Sequence, residues 1–220
     1  MTQDEQAARA RQVAGIIAML ALGAVVSQSL INMTAASARG ESPVLAVVLL
    51  YGYFTIWSNT LVGLVAGRFA LRGEGDGVLT RPGTLAAALV YIVVVGLIYN
   101  VLLAKLNNVS GVRLAVDTVL HSVVPTAYAL WWLLLVPRRR IGWNALAPAM
   151  AFPFAYCIVA MGRGALTGKY AYFFIDAGKL GMPQVALNIA GLVLFFGGLM
   201  AAVIAFDRWA HRREPTASTG

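Results

Sequence analysis

Tyr51-Gly-Tyr-Phe-Thr-Ile-Trp-Ser-Asn-Thr60 lies in the middle of a long apolar run. From Val44 to Phe69 the chain carries no charge before Arg68, a length that crosses a bilayer as one helix. Its centre nevertheless holds Thr55 and Asn59, four residues apart and therefore on one helical face, with Ser58 beside them. An unsatisfied amide facing hydrocarbon costs free energy. This polar face must look inward, at other protein or at a cavity, and His121 is the group it is expected to meet.

The rest of the chain fits that setting. Of its 220 residues 60% are hydrophobic and only 12% charged, and the mean hydropathy is +0.75. Soluble domains carry about 25% charged residues, so this is the composition of an integral membrane protein. The net charge of +8 raises the question of nucleic acid. The basic residues, however, sit in short loops between apolar runs, where they set topology. No basic helix with interleaved aromatics is present, and no nucleic-acid partner is expected. Cys157 is the only cysteine, which excludes an intramolecular disulfide.

Six apolar runs, at about 12–34, 44–69, 84–106, 114–136, 145–162 and 184–206, predict an all-α, single-domain bundle of six transmembrane helices. Breakers separate them: Ser42-Pro43, Gly73 to Gly77, Pro82-Gly83, Pro137 and Met182-Pro183. The ends, Thr2 to Ala8 and Glu214 to Gly220, are polar. Ala36-Ser-Ala38 resembles a signal-peptidase site. The apolar core before it exceeds the ~7–15 residues of a signal peptide, and the leader carries Asp4 and Glu5, so the first run is expected to be a retained helix.

Lys and Arg set the orientation. The N-terminus, the second and fourth loops and the C-terminus hold eleven (Arg9 and Arg11; Arg68, Arg72 and Arg81; Arg138, Arg139 and Arg140; Arg208, Arg212 and Arg213). The other three loops hold six: Arg39, Lys105, Arg113, Arg163, Lys169 and Lys179. The positive-inside rule then places both termini in the cytoplasm. On that topology Thr55 lies about 16 Å and His121 about 10 Å below the outer ends of their helices, at 1.5 Å per residue. Gln28, Asn32, Tyr99, Asn100, Asp117 and Asn188 fall in the same outer half, while the cytoplasmic halves are almost wholly apolar. A one-sided cluster of this kind predicts a polar-walled pocket open towards the outer leaflet. Lys169-Tyr-Ala-Tyr-Phe-Phe-Ile-Asp176 is too apolar for a free loop and too short to span; it reads as a lid over the pocket mouth or as an interfacial anchor.

His121 is the only histidine inside a predicted span, and an intramembrane ionisable residue is a functional hypothesis by default; the alternative is a histidine that bonds across helices. Thr55 is either a reacting hydroxyl or a residue that tightens helix packing. Asn59 either braces the helices or donates to a substrate. Asp117, one turn from His121, either orients the imidazole or sits solvated near the interface. Asp176 either bonds within the lid or is solvated. Pro125 frees the carbonyl of His121 from its helical bond. Trp131, Trp132 and Trp143 read as an interface belt. G-x-S-x-G, Walker A and H-E-x-x-H are absent from the sequence. A lone intramembrane histidine with no cysteine near it in sequence argues against a zinc site, and no metal or cofactor is expected.

Three blocks of the sequence carry a family resemblance. They are Tyr53-Phe-Thr55-Ile-Trp-Ser-Asn59, Leu120-His121-Ser-Val-Val-Pro125, and Tyr172-Phe-Phe-Ile-Asp176 followed by Gly181 and Asn188. The pattern resembles the androgen-induced protein family, and more closely its bacterial integral-membrane branch. The resemblance implies a hydrolase of fatty acid esters of hydroxy fatty acids in a bacterial inner membrane, with a threonine nucleophile and a histidine at Thr55 and His121. Asn59 or Asn188 would then be the amide facing the oxyanion, and Asp117 the group that orients the imidazole. The rival expectation is a small transporter, or a lipid- or sterol-binding protein, in which the same residues only hold a ligand.

Overall fold

The computed structural model describes residues 2–75, 77–106, 109–138 and 140–212. Arg139 and Arg213 of the topology count and the tail from Glu214 onward lie outside them. Among the described residues there is no strand, and six helices are long and apolar enough to cross a membrane. The chain is an all-α membrane bundle.

Helix α1 (Gln3–Ala38) opens on a capping box in which the Thr2 hydroxyl accepts from Glu5 N–H and the Glu5 carboxylate accepts from Thr2 N–H. It is longer than the expected 12–34 at both ends. The run expected as one helix over 44–69 is divided instead. A short α2 (Pro43–Leu50) starts on the Ser42 cap and Pro43, the chain turns through Tyr51 to Tyr53, and α3 (Phe54–Arg72) begins afresh. Thr55, expected deep inside a continuous helix, therefore lies in the first turn of α3. The break persists because distant groups satisfy its backbone. Tyr156 donates to Gly52 O (2.9 Å), Arg163 to Leu49 O (3.2 Å) and the Trp57 indole to Tyr51 O (2.7 Å), while Phe54 N–H donates to the Tyr172 hydroxyl (3.0 Å).

Helix α4 (Pro82–Ile98) is the axis of the bundle: every residue from Leu85 to Ile92 is buried, and it packs against α3 and three later helices. Its far end widens into a π-helical turn, Tyr99–Leu103. The fourth span is likewise interrupted. Helix α5 (Gly111–Thr118) passes through a second π turn, Val119–Val123, into α6 (Val124–Leu135). Pro125 explains the second: it has no N–H for the His121 carbonyl, which accepts instead from the Asn100 amide of the facing turn (3.2 Å). Gly96 lets the two helices close at this point, with His121 O only 3.3 Å from where a Cβ would stand.

Helix α7 (Leu146–Thr167), the short α8 (Ala177–Leu180) and α9 (Met182–His211) complete the bundle. Phe54 meets Tyr91 of α4, Phe152 and Tyr156 of α7 and Phe196 of α9 edge-on or tilted, at ring distances of 5.0 to 6.4 Å, which fixes where α3 starts. At the opposite end Trp131 and Trp132 are buried rather than forming an interface belt, because the Trp131 indole donates to Ala10 O (2.8 Å) across to α1 and Arg138 lies over the Trp132 ring; Trp143 is exposed, as an interface residue would be.

Candidate active site

The two π turns and the first turn of α3 converge. Thr55 Oγ1 and His121 Nε2 stand 3.3 Å apart, at the long end of a hydrogen bond, although 66 residues separate them in sequence. The other ring nitrogen, Nδ1, faces the Asp117 backbone carbonyl at 2.9 Å and the Asp117 carboxylate Oδ1 at 3.2 Å. Both are acceptors, so the proton of a neutral imidazole belongs on Nδ1 and Nε2 presents its lone pair to the threonine hydroxyl. The His121 and Asp117 side chains are only 13% and 15% exposed, so most of their surface is withdrawn from solvent.

Tyr99 completes the chain of contacts. Its ring stacks on the imidazole with centroids 3.7 Å apart and planes 16° from parallel, and its hydroxyl donates to the second Asp117 oxygen. The sequence placed Tyr99 among the polar residues of this half but gave it no partner. A stack formed between two facing π turns leaves no periodic signal in either helix.

Asn59 is fully buried below the pair, and its two amide protons go to Thr55 O (2.9 Å) and Leu120 O (3.2 Å). It therefore braces the turn that carries Thr55 against the turn that carries His121. Ser58 is equally buried, and its hydroxyl has no hydrogen-bond partner among the described residues. Gln28 and Asn32, expected near the pocket, bond each other along α1 (3.0 Å).

On the other side of Thr55 lies a cavity of about 420 Å³, walled by α4, α7 and α9 and roofed by the segment before α8. Thr55 lines it; His121 stands behind Thr55 and does not. The remaining wall is apolar apart from Tyr99, Tyr156, Tyr172 and Cys157, so the expected polar-walled pocket is a greasy chamber with a polar seam at one end. The segment Tyr172–Asp176 folds over that end. Tyr172 and Phe174 stack at 5.1 Å and both line the cavity; Asn188 of α9 donates to Phe174 O (2.7 Å), and Asp176 caps α8 by accepting from Gly178 and Lys179 N–H. Asn188 thus holds the roof, and Asp176 ends it.

The Tyr172 hydroxyl is the group that sequence reasoning missed. It accepts from Phe54 N–H (3.0 Å), which puts it next to Thr55, the following residue of α3. Burial pushes its phenol above the ordinary tyrosine range, so it keeps its proton at neutral pH. No cluster of metal-ligating residues is found among the described residues. No family model, curated protein or solved structure matches this chain.

Proposed function

We propose that the chain is an intramembrane hydrolase of lipid esters, with Thr55 as nucleophile and His121 as general base. The observation that carries the reading is the orientation of the imidazole. Two acceptors hold Nδ1, a lone pair points at a threonine hydroxyl, and that hydroxyl opens on an apolar chamber. A threonine kept only for helix packing needs no such base behind it.

In the proposed reaction Thr55 Oγ attacks the ester carbonyl as its proton passes to His121 Nε2. The tetrahedral intermediate collapses, the C–O bond to the alcohol breaks, and Nε2 returns the proton to the leaving oxygen. An acyl-threonine remains. Water then attacks it, giving its proton to Nε2, and the second collapse releases the acid and restores Thr55. Asp117 stabilises the imidazolium formed twice in this cycle. The protonated Tyr172 hydroxyl, beside Thr55 and already held by Phe54 N–H, is placed to donate to the carbonyl oxygen; one such donor is worth ~10²–10³ in rate. Asn59 has no proton left for that task.

The chamber suits an acyl chain, and the polar seam suits an ester between two apolar arms. The substrate class that fits is an amphipathic lipid ester drawn from the membrane, such as a fatty acid ester of a hydroxy fatty acid. The resemblance drawn from the sequence and the positive-inside count support the same reading, with the site end on the outer side of a bacterial inner membrane.

Labelling purified protein with a fluorophosphonate tests this. Wild type and Thr55→Ser are expected to label, and Thr55→Ala and His121→Ala are not. A wild type that binds lipid esters tightly but neither labels nor turns them over would make the chamber a lipid-binding site without chemistry.

A further inference from the structure

Arg163 stands where the α2–α3 break meets α7, and it has no counter-ion among the described residues. Its Nη1 donates to Leu49 O at 3.2 Å, its guanidinium lies 6.0 Å from the Tyr53 ring centroid, and its Nε is buried with no partner among the described residues. Every described carboxylate at this end is engaged elsewhere. Glu41 pairs with Arg39 at 2.6 Å, Asp176 with Lys179 at 3.7 Å and Asp117 with His121 at 3.2 Å. Arg39, Lys105, Arg113, Lys169 and Lys179 belong to the same end, so the local balance is strongly positive even with these pairs formed. Arg163 lies near the C-terminal end of α7, and a guanidinium partly withdrawn from solvent without a carboxylate is costly unless another anion pairs with it.

Its position ties it to the chamber. Gly52 lies directly against the guanidinium, since a Cβ there would fall 1.6 Å from Arg163 Nη1, and Gly52 O accepts from Tyr156, which lines the chamber. Tyr53, which carries Arg163 near one face, meets Tyr172 edge-on at 6.0 Å, and Tyr172 is part of the roof. Arg163 is thus one ring away from the wall of the cavity. Nη1 is committed to Leu49 O and Nε is buried with its proton unspent among the described residues; a guanidinium that still holds an unspent donor is suited to an oxyanion.

We propose that Arg163 is an anion-binding residue beside the chamber roof, pairing with the oxyanion head of a lipid whose apolar chain occupies the chamber. The lipid is the substrate only if the ester-hydrolase reading holds; the anion site stands without it. The head is the free carboxylate of the bound lipid ester. The phosphodiester of an anionic phospholipid presents the same chemistry.

The test uses a long-chain ester with a free terminal carboxylate and its methyl-capped twin, with full-length protein in phosphatidylcholine nanodiscs. Binding is read by tryptophan quenching in Thr55→Ala, which keeps the bound ester intact whether or not wild type is an enzyme. The carboxylate form is expected to bind about tenfold tighter than the capped form, as a charge-assisted pair warrants. Adding Arg163→Met removes that preference, and adding Arg163→Lys keeps part of it; unchanged binding of the capped ester shows that the variants are folded. If the preference is missing in phosphatidylcholine but phosphatidylglycerol raises the melting temperature of wild type and not of Arg163→Met, the head belongs to a phospholipid. Equal behaviour of wild type and Arg163→Met in both arms overturns the proposal. Turnover by wild type alongside that null result would leave the hydrolase reading intact, and intact ester alongside a preference that needs Arg163 would overturn only the hydrolase reading.

Discussion

Tyr99 lies flat on the His121 imidazole, 3.7 Å from it, while its hydroxyl reaches past the ring to Asp117. One residue therefore fixes both the plane of the base and the rotamer of the carboxylate behind it. Tyr99→Phe keeps the stack and removes the hydroxyl. Ester turnover by this variant is expected to fall about tenfold, the worth of one hydrogen bond to a charged acceptor, mainly in kcat. Tyr99→Leu, which also loses the stack, is expected to fall further. Equal rates for the two variants would show that only the hydroxyl matters.

Asp117 contributes to Nδ1 twice, through its side chain at 3.2 Å and through its backbone carbonyl at 2.9 Å. Substitution removes only the first. Asp117→Ala is expected to slow fluorophosphonate labelling while leaving it measurable, unlike His121→Ala, and the second-order labelling rate separates the two. Complete loss in a folded Asp117→Ala variant would show that the backbone carbonyl cannot hold the tautomer alone.

The span count was legible because six apolar runs of sufficient length need no tertiary information, and so was the meeting of Thr55 with His121, since both are polar at similar depth. The break after Leu50 was not legible. Leu50-Tyr51-Gly52-Tyr53 is apolar and carries no proline, and the groups that hold the break open, Tyr156, Arg163 and Tyr172, lie more than 100 residues further on. The wide turn at Val119 follows from Pro125. The facing turn at Tyr99 has no breaker of its own, and its register depends on the partner it stacks against. The roof role of Asn188 was hidden for a similar reason: its acceptor is a backbone carbonyl, which every residue has.

Asn59 carries a stability prediction. It is fully buried and joins α3 to the His121 turn through Thr55 O and Leu120 O. Asn59→Ala leaves the Leu120 carbonyl unsatisfied in a dry interior and is expected to cost about 1–3 kcal/mol. Thermal denaturation in detergent reads this as a lowered Tm, and labelling should slow as well, since the same two bonds set the distance between nucleophile and base.

The approach at Gly96 is the other structural pinch. A Cβ there would meet Pro125 Cβ at 3.0 Å and His121 O at 3.3 Å, whereas Gly191 has open space around it. Gly96→Val is expected to destabilise by about 1–3 kcal/mol through overpacking and to impair labelling by displacing the His121 turn. Gly191→Ala, on an exposed helix face, is expected to be neutral or to stabilise slightly. The contrast in Tm between the two variants checks the geometry without any substrate.

The seam that divides α2 from α3 has an electrostatic consequence. In one continuous helix the N–H groups of Phe54 and Thr55 would be spent on carbonyls of the preceding turn. Starting the helix at Phe54 instead places its positive pole, equivalent to about half an elementary charge, beside the Thr55 hydroxyl. Negative charge gathering there in the proposed reaction would meet a field made by peptide groups. No side-chain substitution deletes that field; only closing the seam would.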